Sequence, residues 1–439
     1  MDCDILIENA VIVTINPDWQ IIESGYIEIT GDIITKIGEG KSGASAKKTI
    51  NGRGKAVIPG FVNTHTHIPM AAFKGAGEDI HDRLKKYIFP MENSLVTPDL
   101  VFKASRFCLA EMVLSGTTTF ADMYYFEEEV ARATREFGMR AVLGQTITNF
   151  PVPDAASFDE GLARCRRFIQ DWSGDTLITP SIAPHAPYSA GEDQLKMLSR
   201  EAEKLAVPIM MHCAEMADED ARFKESHGSV IRYLDSFGFL QENLLAAHLI
   251  FVDDHDIELL AKRGVGAAHC PVSNAKGGRP ISPAWDMQKA GVKLGLATDG
   301  PLSGNGMDMQ GVLINFPKMQ KMLHHRRDIL TAREALRTAT LGGAEAMGLD
   351  KEIGSLEAGK KADLAIIDAD DWSMQPVYDW YSALVYAMRP HNVESVIVNG
   401  KMIVENRNLV TVNSTEIKED MHAIRKVCQD KIAELNRMF

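Results

Sequence analysis

The stretch that decides the fold is Ala56-Val57-Ile58-Pro59-Gly60-Phe61-Val62-Asn63-Thr64-His65-Thr66-His67. An apolar run, a Pro-Gly break and a second apolar run lead into two histidines spaced two residues apart. Residues i and i+2 of a strand point to the same side, so His65 and His67 project side by side, as two imidazole ligands of one metal ion would. A His-x-His sequence can also arise by chance among 13 histidines, so the pair alone leaves both interpretations open.

Further along the chain, other apolar runs also end in side chains that can bind metal. These runs are Val207 to His212, Leu244 to His248 and Lys293 to Asp299. In a parallel barrel the carboxyl ends of the strands open onto the functional face. Histidine nitrogens and carboxylate oxygens are ligands for zinc or iron. Each residue could equally be a cap or a hydrogen-bonded core position, but together they favour a metal site.

The pattern of apolar residues changes twice along the chain. Residues 1–58 alternate short apolar runs with turns, which is typical of a small all-β unit. Residues 59–349 alternate short apolar runs with longer amphipathic stretches, which indicates repeated βα units in a barrel-like domain. Residues 350–439 return to strand-like runs, with an Asn399-Gly400 hairpin signal and a charged, helix-compatible tail. We therefore expect the two flanking segments to pair into one small domain.

Composition excludes several classes of partner. The formal charge of −13, from 47 basic and 60 acidic residues, argues against a nucleic-acid partner. The sequence contains no run of about 18 apolar residues, so we expect no membrane span. The N-terminus lacks the basic and apolar pattern of a secretory signal. The six cysteines lack CxxC spacing, so we interpret them as reduced thiols of a cytoplasmic protein.

Three more residues are candidates for chemistry. Glu215 follows His212 by three positions and could move a proton between water and substrate, or it could be a surface glutamate that opens a helix. His185 stands in a proline-stiffened loop and suits either a substrate contact or a packed loop histidine. His269 ends another apolar run and could contact substrate or belong to the core.

With these residues placed, the chain resembles the amidohydrolase superfamily, specifically the branch of methylthioadenosine/S-adenosylhomocysteine deaminases and chlorohydrolases. The resemblance covers nearly the whole chain. Its motifs are Pro59-Gly60-Phe61-Val62-Asn63-Thr64-His65-Thr66-His67, Gly116-Thr117-Thr118-Thr119, His185-Ala186-Pro187-Tyr188, His212-Cys213-Ala214-Glu215, Pro271-Val272-Ser273-Asn274, Thr298-Asp299-Gly300 and Gly354-Ser355-Leu356-Glu357-Ala358-Gly359-Lys360-Lys361-Ala362-Asp363-Leu364.

The resemblance implies an α/β fold, a (β/α)8 TIM-type barrel with a flanking β-sandwich built from both chain ends. It also implies one divalent metal ion, zinc or alternatively iron, without a carboxylated lysine. The ligands it implies are His65, His67, His212 and Asp299.

The resemblance further implies a deaminase mechanism. Asp299 and His248 help to deprotonate water, and the resulting metal-bound hydroxide attacks the ring carbon that bears the amino group. Glu215 then protonates the adjacent ring nitrogen and ammonia leaves. The alternatives are a chlorohydrolase-type, guanine or pterin hydrolase on the same site, and a non-catalytic binding protein, which would be expected to lose ligands or Glu215.

The substrate-binding positions point to a small, adenosine-like molecule. His185 matches the element that contacts the purine in these deaminases, and Asp82 falls near their ribose-binding acidic residue. Arg83 stands where a tryptophan is usual, and Gln145 where an arginine gripping the homocysteine carboxylate is expected. A smaller adenosine-like substrate, or another aminated heterocycle, therefore fits better than S-adenosylhomocysteine. A homo-oligomer is an expectation at the level of the family only.

Overall fold

The structure is a computed structural model that describes residues 1–80 and 82–438. The chain begins with strands of a sheet that flanks the main domain. These strands are β1 (Cys3–Val13), β2 (Ile21–Thr30), β3 (Ile33–Glu39), β4 (Ala46–Asn51) and β5 (Lys55–Pro59). Residues alternate between half-buried and exposed along β4, whereas β5 is almost entirely buried where it enters the core.

The central sheet contains eight parallel strands within the described residues, and they neighbour one another in chain order. They are β6 (Phe61–Thr66), β7 (Thr117–Tyr124), β8 (Arg140–Ile147), β9 (Ile178–Pro184), β10 (Ile209–Cys213), β11 (Leu244–His248), β12 (Gly266–His269) and β13 (Lys293–Leu296). Nearly every residue of these strands is buried, as expected for parallel strands covered by helices on the outside and filled by side chains on the inside. The predicted barrel is confirmed.

The C-terminal segment returns to the flanking sheet through β14 (Leu364–Asp368), β15 (Val393–Val398), β16 (Lys401–Glu405) and β17 (Asn408–Leu409). The two chain ends join where β5 and β14 pair antiparallel. The sheet runs β17-β16-β15-β14-β5-β1-β2-β3, and β4 pairs parallel with β1. The prediction of one unit built from both ends is thus confirmed, while the boundaries at 58/59 and 349/350 remain predictions.

Asn399 and Gly400 connect β15 to β16 and have φ values of 50° and 72°. Two consecutive positive φ values are what a type I′ hairpin turn requires, and asparagine and glycine adopt them at low cost. The hairpin predicted from the Asn-Gly pair is therefore present.

Helices cover the barrel and close the chain. They are α1 (Phe89–Leu95), α2 (Pro98–Leu114), α3 (Glu127–Phe137), α4 (Phe158–Trp172), α5 (Glu192–Leu205), α6 (Ala217–His227), α7 (Val230–Ser236), α8 (Asp254–Arg263), α9 (Pro271–Lys276), α10 (Ala284–Ala290), α11 (Met309–Leu323), α12 (Ala332–Thr338), α13 (Leu341–Ala346), α14 (Trp380–Ser382) and α15 (Ser414–Asn436), with short 3-10 turns at Ile68–Phe73 and Pro390–Asn392 and π-helical turns at Leu84–Ile88 and Ala383–Ala387. Among the described helices, none combines the length and apolar character needed to cross a bilayer. The six cysteines are buried and none is in a disulfide.

Hydrogen bonds between β6 and the segment after β13, which we call the β6–β13 seam, close the barrel at the carboxyl ends of its strands. The side chain of Asn63 donates to Thr298 Oγ1 at 2.8 Å and accepts from the Thr298 amide at 3.0 Å. One residue further, the Asp299 amide donates to the carbonyl oxygen of His65 at 3.1 Å. These bonds bring a carboxylate from the last strand beside a histidine from the first.

A buried ion pair joins the barrel to the flanking sheet. Arg140 begins β8, and its Nε donates to Asp363 Oδ2 at 2.8 Å, with side-chain exposures of 6% and 2%. The Asn399 side chain also accepts from Arg140 at 3.0 Å. Because both charges are out of water, each depends on the other for its compensation.

We expect Asp363→Asn to lower the free energy of unfolding by about 3–5 kcal/mol, because it leaves a buried guanidinium without its counter-charge. Urea titration followed by circular dichroism measures the loss. The matched control is Asp328→Asn, which removes the carboxylate of an exposed arginine pair and should leave the unfolding midpoint unchanged. Equal midpoints for the two variants would contradict this role of the pair.

Candidate active site

Four side chains predicted from separate parts of the sequence meet at the carboxyl end of the barrel. His65 lies next to the last residue of β6 with His67 just beyond the strand, His212 lies in β10, and Asp299 follows β13. The Nε2 atom of His67 lies 3.0 Å from Nε2 of His212 and 3.6 Å from Oδ1 of Asp299. The Nε2 atom of His65 lies 3.8 Å from the same carboxylate oxygen. All four side chains are buried. They fall in two overlapping groups that could each hold a metal ion, one of His65, His67 and Asp299 and one of His65, His212 and His248.

The hydrogen bonds of these imidazoles indicate which nitrogens carry protons. His67 Nδ1 faces the Met123 carbonyl oxygen at 2.6 Å, and His212 Nδ1 faces the His185 carbonyl oxygen at 2.7 Å. Because a carbonyl only accepts, each Nδ1 must donate, so each neutral ring has its lone pair on Nε2. The two Nε2 lone pairs then face each other at 3.0 Å. His65 Nε2 is buried and has no hydrogen-bond partner among the described residues. This donor set fits a cation placed between the rings.

The protonation states of these side chains also suit the binding of a cation. Burial, followed by the neighbouring imidazoles, lowers the pKa of His65 well below its ordinary value and that of His212 to about 4. Burial acts to raise the pKa of Asp299, but His248 and His67 outweigh it and hold that pKa below the usual range. Neutral imidazoles and an ionised carboxylate are the forms that bind metal.

Two residues of this site, His248 and Asp299, have an unusual backbone conformation. His248 has φ of 77° and Asp299 has φ of 61°, which is the left-handed region that costs a non-glycine residue about 1–3 kcal/mol. The strain at Asp299 is held by its amide bond to His65 and by the Gly300 amide, which donates to Asp299 Oδ1 at 2.6 Å. The left-handed turns aim both side chains into the centre of the barrel mouth rather than along the strand.

Glu215 and His248 lie side by side next to this cluster. Glu215 Oε1 is 3.8 Å from His248 Nε2, and the Nδ1 of that ring donates to Asn274 Oδ1 at 3.0 Å. Burial acts to raise the pKa of Glu215, but His248 and Arg279 outweigh it and keep the carboxyl ionised. An ionised carboxylate can accept a proton from water and pass it on.

A cavity of about 730 Å³ opens above these groups, within the range of small-molecule sites. The predicted substrate contact His185 lines it, and His185 Nδ1 is buried with no partner in the described part of the chain. Asp82, also predicted, lies exposed at the mouth of the same cavity. The structure thus brings both positions to the space where a substrate would bind.

The other two predicted substrate contacts do not line this cavity in the described structure. The Gln145 side chain is buried and donates to Asp154 Oδ2 at 2.8 Å. His269 is buried with its ring centroid 5.4 Å from that of Phe316. A substrate role for Gln145 or His269 stays a sequence-based prediction without a contact to the cavity.

Sequence reasoning did not assign roles to several side chains at this site. Arg279 lines the cavity with its Nη2 3.0 Å from Glu215 Oε1. Glu92 also lines it, accepts from Tyr124 Oη at 2.6 Å and has a pKa that burial raises to about 7. Asn274 orients His248, and its place in a motif was the available signal; Arg279 and Glu92 stand in segments without a recognisable pattern.

Comparisons with known proteins agree with this geometry. The family model described as "Amidohydrolase family" matches residues 56–403. The chain is 36% identical over 437 residues to 5-methylthioadenosine/S-adenosylhomocysteine deaminase 1 of Syntrophus aciditrophicus, covering 98% of this chain and 99% of the relative. It is 34% identical over 438 residues to 5'-deoxyadenosine deaminase of Methanosarcina barkeri, covering 99% of each.

A solved structure is similar over the same length. The crystal structure of an adenosine deaminase from Xanthomonas campestris with bound zinc superimposes with a TM-score of 0.95 at 32% identity, covering 98% of this chain and 99% of that one. The likeness therefore extends over both the barrel and the flanking sheet.

The ligand assignment predicts how metal content responds to mutation. We expect His67→Ala to reduce bound metal from about one ion per chain to near zero, because a zinc centre needs its full set of three or four protein ligands. Inductively coupled plasma mass spectrometry on protein prepared with zinc measures this. The control His269→Asn alters a buried histidine outside the cluster and should keep its metal. Equal metal content in the two variants would contradict the ligand set.

Proposed function

This chain belongs to the amidohydrolase family, and we propose that it is a metal-dependent aminohydrolase that removes ammonia from adenosine-like purine nucleosides. The observation that carries the proposal is the position of Glu215, whose carboxylate stands beside the His/Asp cluster at the base of a cavity. A leaving amine needs a proton, and a carboxylate at this point can deliver one. The names of the relatives, which are deaminases of adenosine-type nucleosides, support the same reaction.

We propose zinc as a single bound ion, held by His65, His67, His212 and Asp299. Histidine nitrogens and a carboxylate oxygen are donors that suit zinc, each of the four residues belongs to one of the two overlapping groups that could hold a metal ion, and the structure from Xanthomonas campestris contains zinc. When bound, a divalent cation supplies Lewis acidity and lowers the pKa of water to about 7.

Side chains of the protein would then transfer protons from the attacking water to the substrate. Asp299 and His248 help to remove the two protons of the attacking water, and Asn274 keeps His248 in the tautomer whose Nε2 faces the reacting centre. Glu215, which is ionised in the free protein, accepts one of these protons and donates it to the ring nitrogen next to the carbon under attack. The other proton passes from Asp299 to the amino group, which the tetrahedral carbon then expels as ammonia.

The cavity supports a nucleoside-sized substrate. His185 offers an unpartnered Nδ1 to the ring, and the Asp82 carboxylate at the mouth can accept hydrogen bonds from ribose hydroxyls. The Gln145 side chain is bonded to Asp154 and does not line the cavity, so it would not contact a carboxylate of the substrate. A cytoplasmic location is also part of the proposal, and the six buried cysteines without disulfides support it. A homo-oligomer is an expectation at the level of the family.

Among competing substrates, the loss of ammonia fits Glu215 better than the loss of chloride. Chloride leaves as an anion and needs no proton, whereas an amine leaves only after protonation. Guanine and pterins keep a leaving amine and therefore remain the alternatives that an assay must separate.

We expect the zinc-loaded protein to release ammonia from adenosine or 5'-deoxyadenosine faster than from guanine, pterin or a chlorinated triazine. A coupled glutamate dehydrogenase assay over this panel, with chloride release followed in parallel, measures it. The absence of ammonia release from every purine nucleoside would rule out the proposed function.

We expect Glu215→Gln to lower kcat by about 10²–10⁴-fold, the range for loss of a positioned acid-base group. Metal content should stay at the wild-type value, because Glu215 is not among the assigned ligands. Glu258→Gln, an exposed change on α8, is the control for the same chemical substitution. Wild-type turnover by the Glu215 variant would contradict its role in proton transfer.

A further inference from the structure

The mouth of the cavity carries three cations, and two of them are already bound by the protein. Arg83 donates to the Leu302 carbonyl oxygen at 3.1 Å and lies 3.6 Å from Glu78. Lys276 lies 2.8 Å from Glu78 and donates to Asn305 at 3.0 Å. The two Nη atoms of Arg83 and the ammonium of Lys276 are used to tie neighbouring loops together, whereas Arg83 Nε is buried and has no partner among the described residues.

Arg279 is different because most of its hydrogen-bonding capacity is unused. Its Nη2 lies 3.0 Å from Glu215 Oε1 and 3.3 Å from the thioether sulfur of Met216. Within residues 1–80 and 82–438, these are its polar contacts to side chains. A guanidinium carries five N–H donors. The side chain is 24% exposed and lines the cavity, so the remaining donors are available to a ligand.

The position of Arg279 fixes which part of a substrate it would meet. A reacting ring places its aminated carbon toward Asp299 and the histidines, and the adjacent nitrogen toward Glu215. Arg279 contacts Glu215, while no ion pair joins it to Asp299 in the described structure. The guanidinium thus lies against Glu215 and Met216, and in the described structure it makes no ion pair with the metal cluster. The ring atom beyond the protonated nitrogen faces it.

We propose that Arg279 is a specificity-determining residue that binds a carbonyl oxygen on the ring atom next to the nitrogen that Glu215 protonates. This inference rests on the proposed function and deepens it. In a purine nucleoside aminated at C6 the nitrogen is N1 and the next atom is C2. The preferred substrates are therefore 2-oxo-6-aminopurine nucleosides, of which isoguanosine is the simplest.

The physical reason is the match between neighbouring groups. Glu215 and Arg279 place a carboxylate and a guanidinium side by side. A 2-oxo-6-aminopurine nucleoside in the tautomer that carries its ring proton on N3 presents an unprotonated N1 beside the C2 carbonyl oxygen. The carbonyl accepts from the guanidinium in a charge-assisted hydrogen bond. Adenosine has only C2–H at this point, so the guanidinium gives up water without gaining an acceptor, which disfavours that substrate.

The carbonyl also changes what Glu215 can do. In the free protein the guanidinium stabilises the Glu215 carboxylate, which opposes the protonated form needed to deliver a proton. A substrate carbonyl draws the guanidinium toward itself. The proton taken from water by Glu215 can then pass to N1, and ammonia leaves from C6 with no other co-reactant.

The test compares two substrates that differ only at C2. We expect the zinc-loaded enzyme to deaminate isoguanosine with a kcat/KM at least about tenfold above that for adenosine, the discrimination typical of a charge-assisted hydrogen bond. Arg279→Met keeps the length of the side chain and should bring the ratio close to one. Lys276→Met, which removes a cation already tied to Glu78, should keep the wild-type ratio.

Thermal unfolding of each variant verifies that it folds, and Arg279→Gln provides a second variant. The same ratio in the wild type and in both Arg279 variants would overturn the proposal. A preference for adenosine 5'-phosphate over adenosine that disappears in Arg279→Met would also overturn it, because it would assign the guanidinium to a phosphate. Turnover of adenosine with an unchanged ratio refutes this inference alone, whereas no turnover of any purine nucleoside refutes the proposed function as well.

Discussion

The structure depends on one electrostatic constraint, the approach of two imidazole lone pairs to 3.0 Å at the mouth of the barrel. The rings of His67 and His212 are fixed by the carbonyl oxygens of Met123 and His185, so neither can turn away or donate from Nε2. Two lone pairs at this distance repel each other unless a cation lies between them. The buried, unpartnered Nε2 of His65 and the ionised Asp299 add to the same requirement.

The barrel supplies the rigidity that this arrangement needs. His65 and His67 lie at the end of β6, whereas His212 and Asp299 lie near the ends of β10 and β13. A backbone hydrogen bond between the Asp299 amide and the His65 carbonyl oxygen places Asp299 beside His65. Backbone strain at His248 and Asp299 persists because the surrounding bonds determine it. Outside the metal cluster, Glu215 Oε1 lies 3.8 Å from His248 Nε2 and 3.0 Å from Arg279 Nη2. The first relation suits proton transfer, and the second suits recognition of the ring.

Much of this could be predicted from the sequence, for reasons that are local. The period of two in a strand places His65 beside His67, and the positive φ values of Asn399 and Gly400 follow from an Asn-Gly pair. What could not be predicted depends on the path of loops. The direction of the Arg279 side chain follows from the turn after α9, and Gln145 is held by Asp154, a residue that only the fold brings to it. The parallel pairing of β4 with β1 likewise depends on the whole sheet rather than on its own residues.

Zinc X-ray absorption spectroscopy on the metal-loaded protein, combined with an anomalous-difference map from its crystals, tests directly whether these four side chains hold a metal ion. If they do, the map contains one peak between the three Nε2 atoms and the Asp299 carboxylate, with metal–ligand distances of about 2.0–2.2 Å. A peak at another position, or active protein with no metal at this cluster, would contradict it.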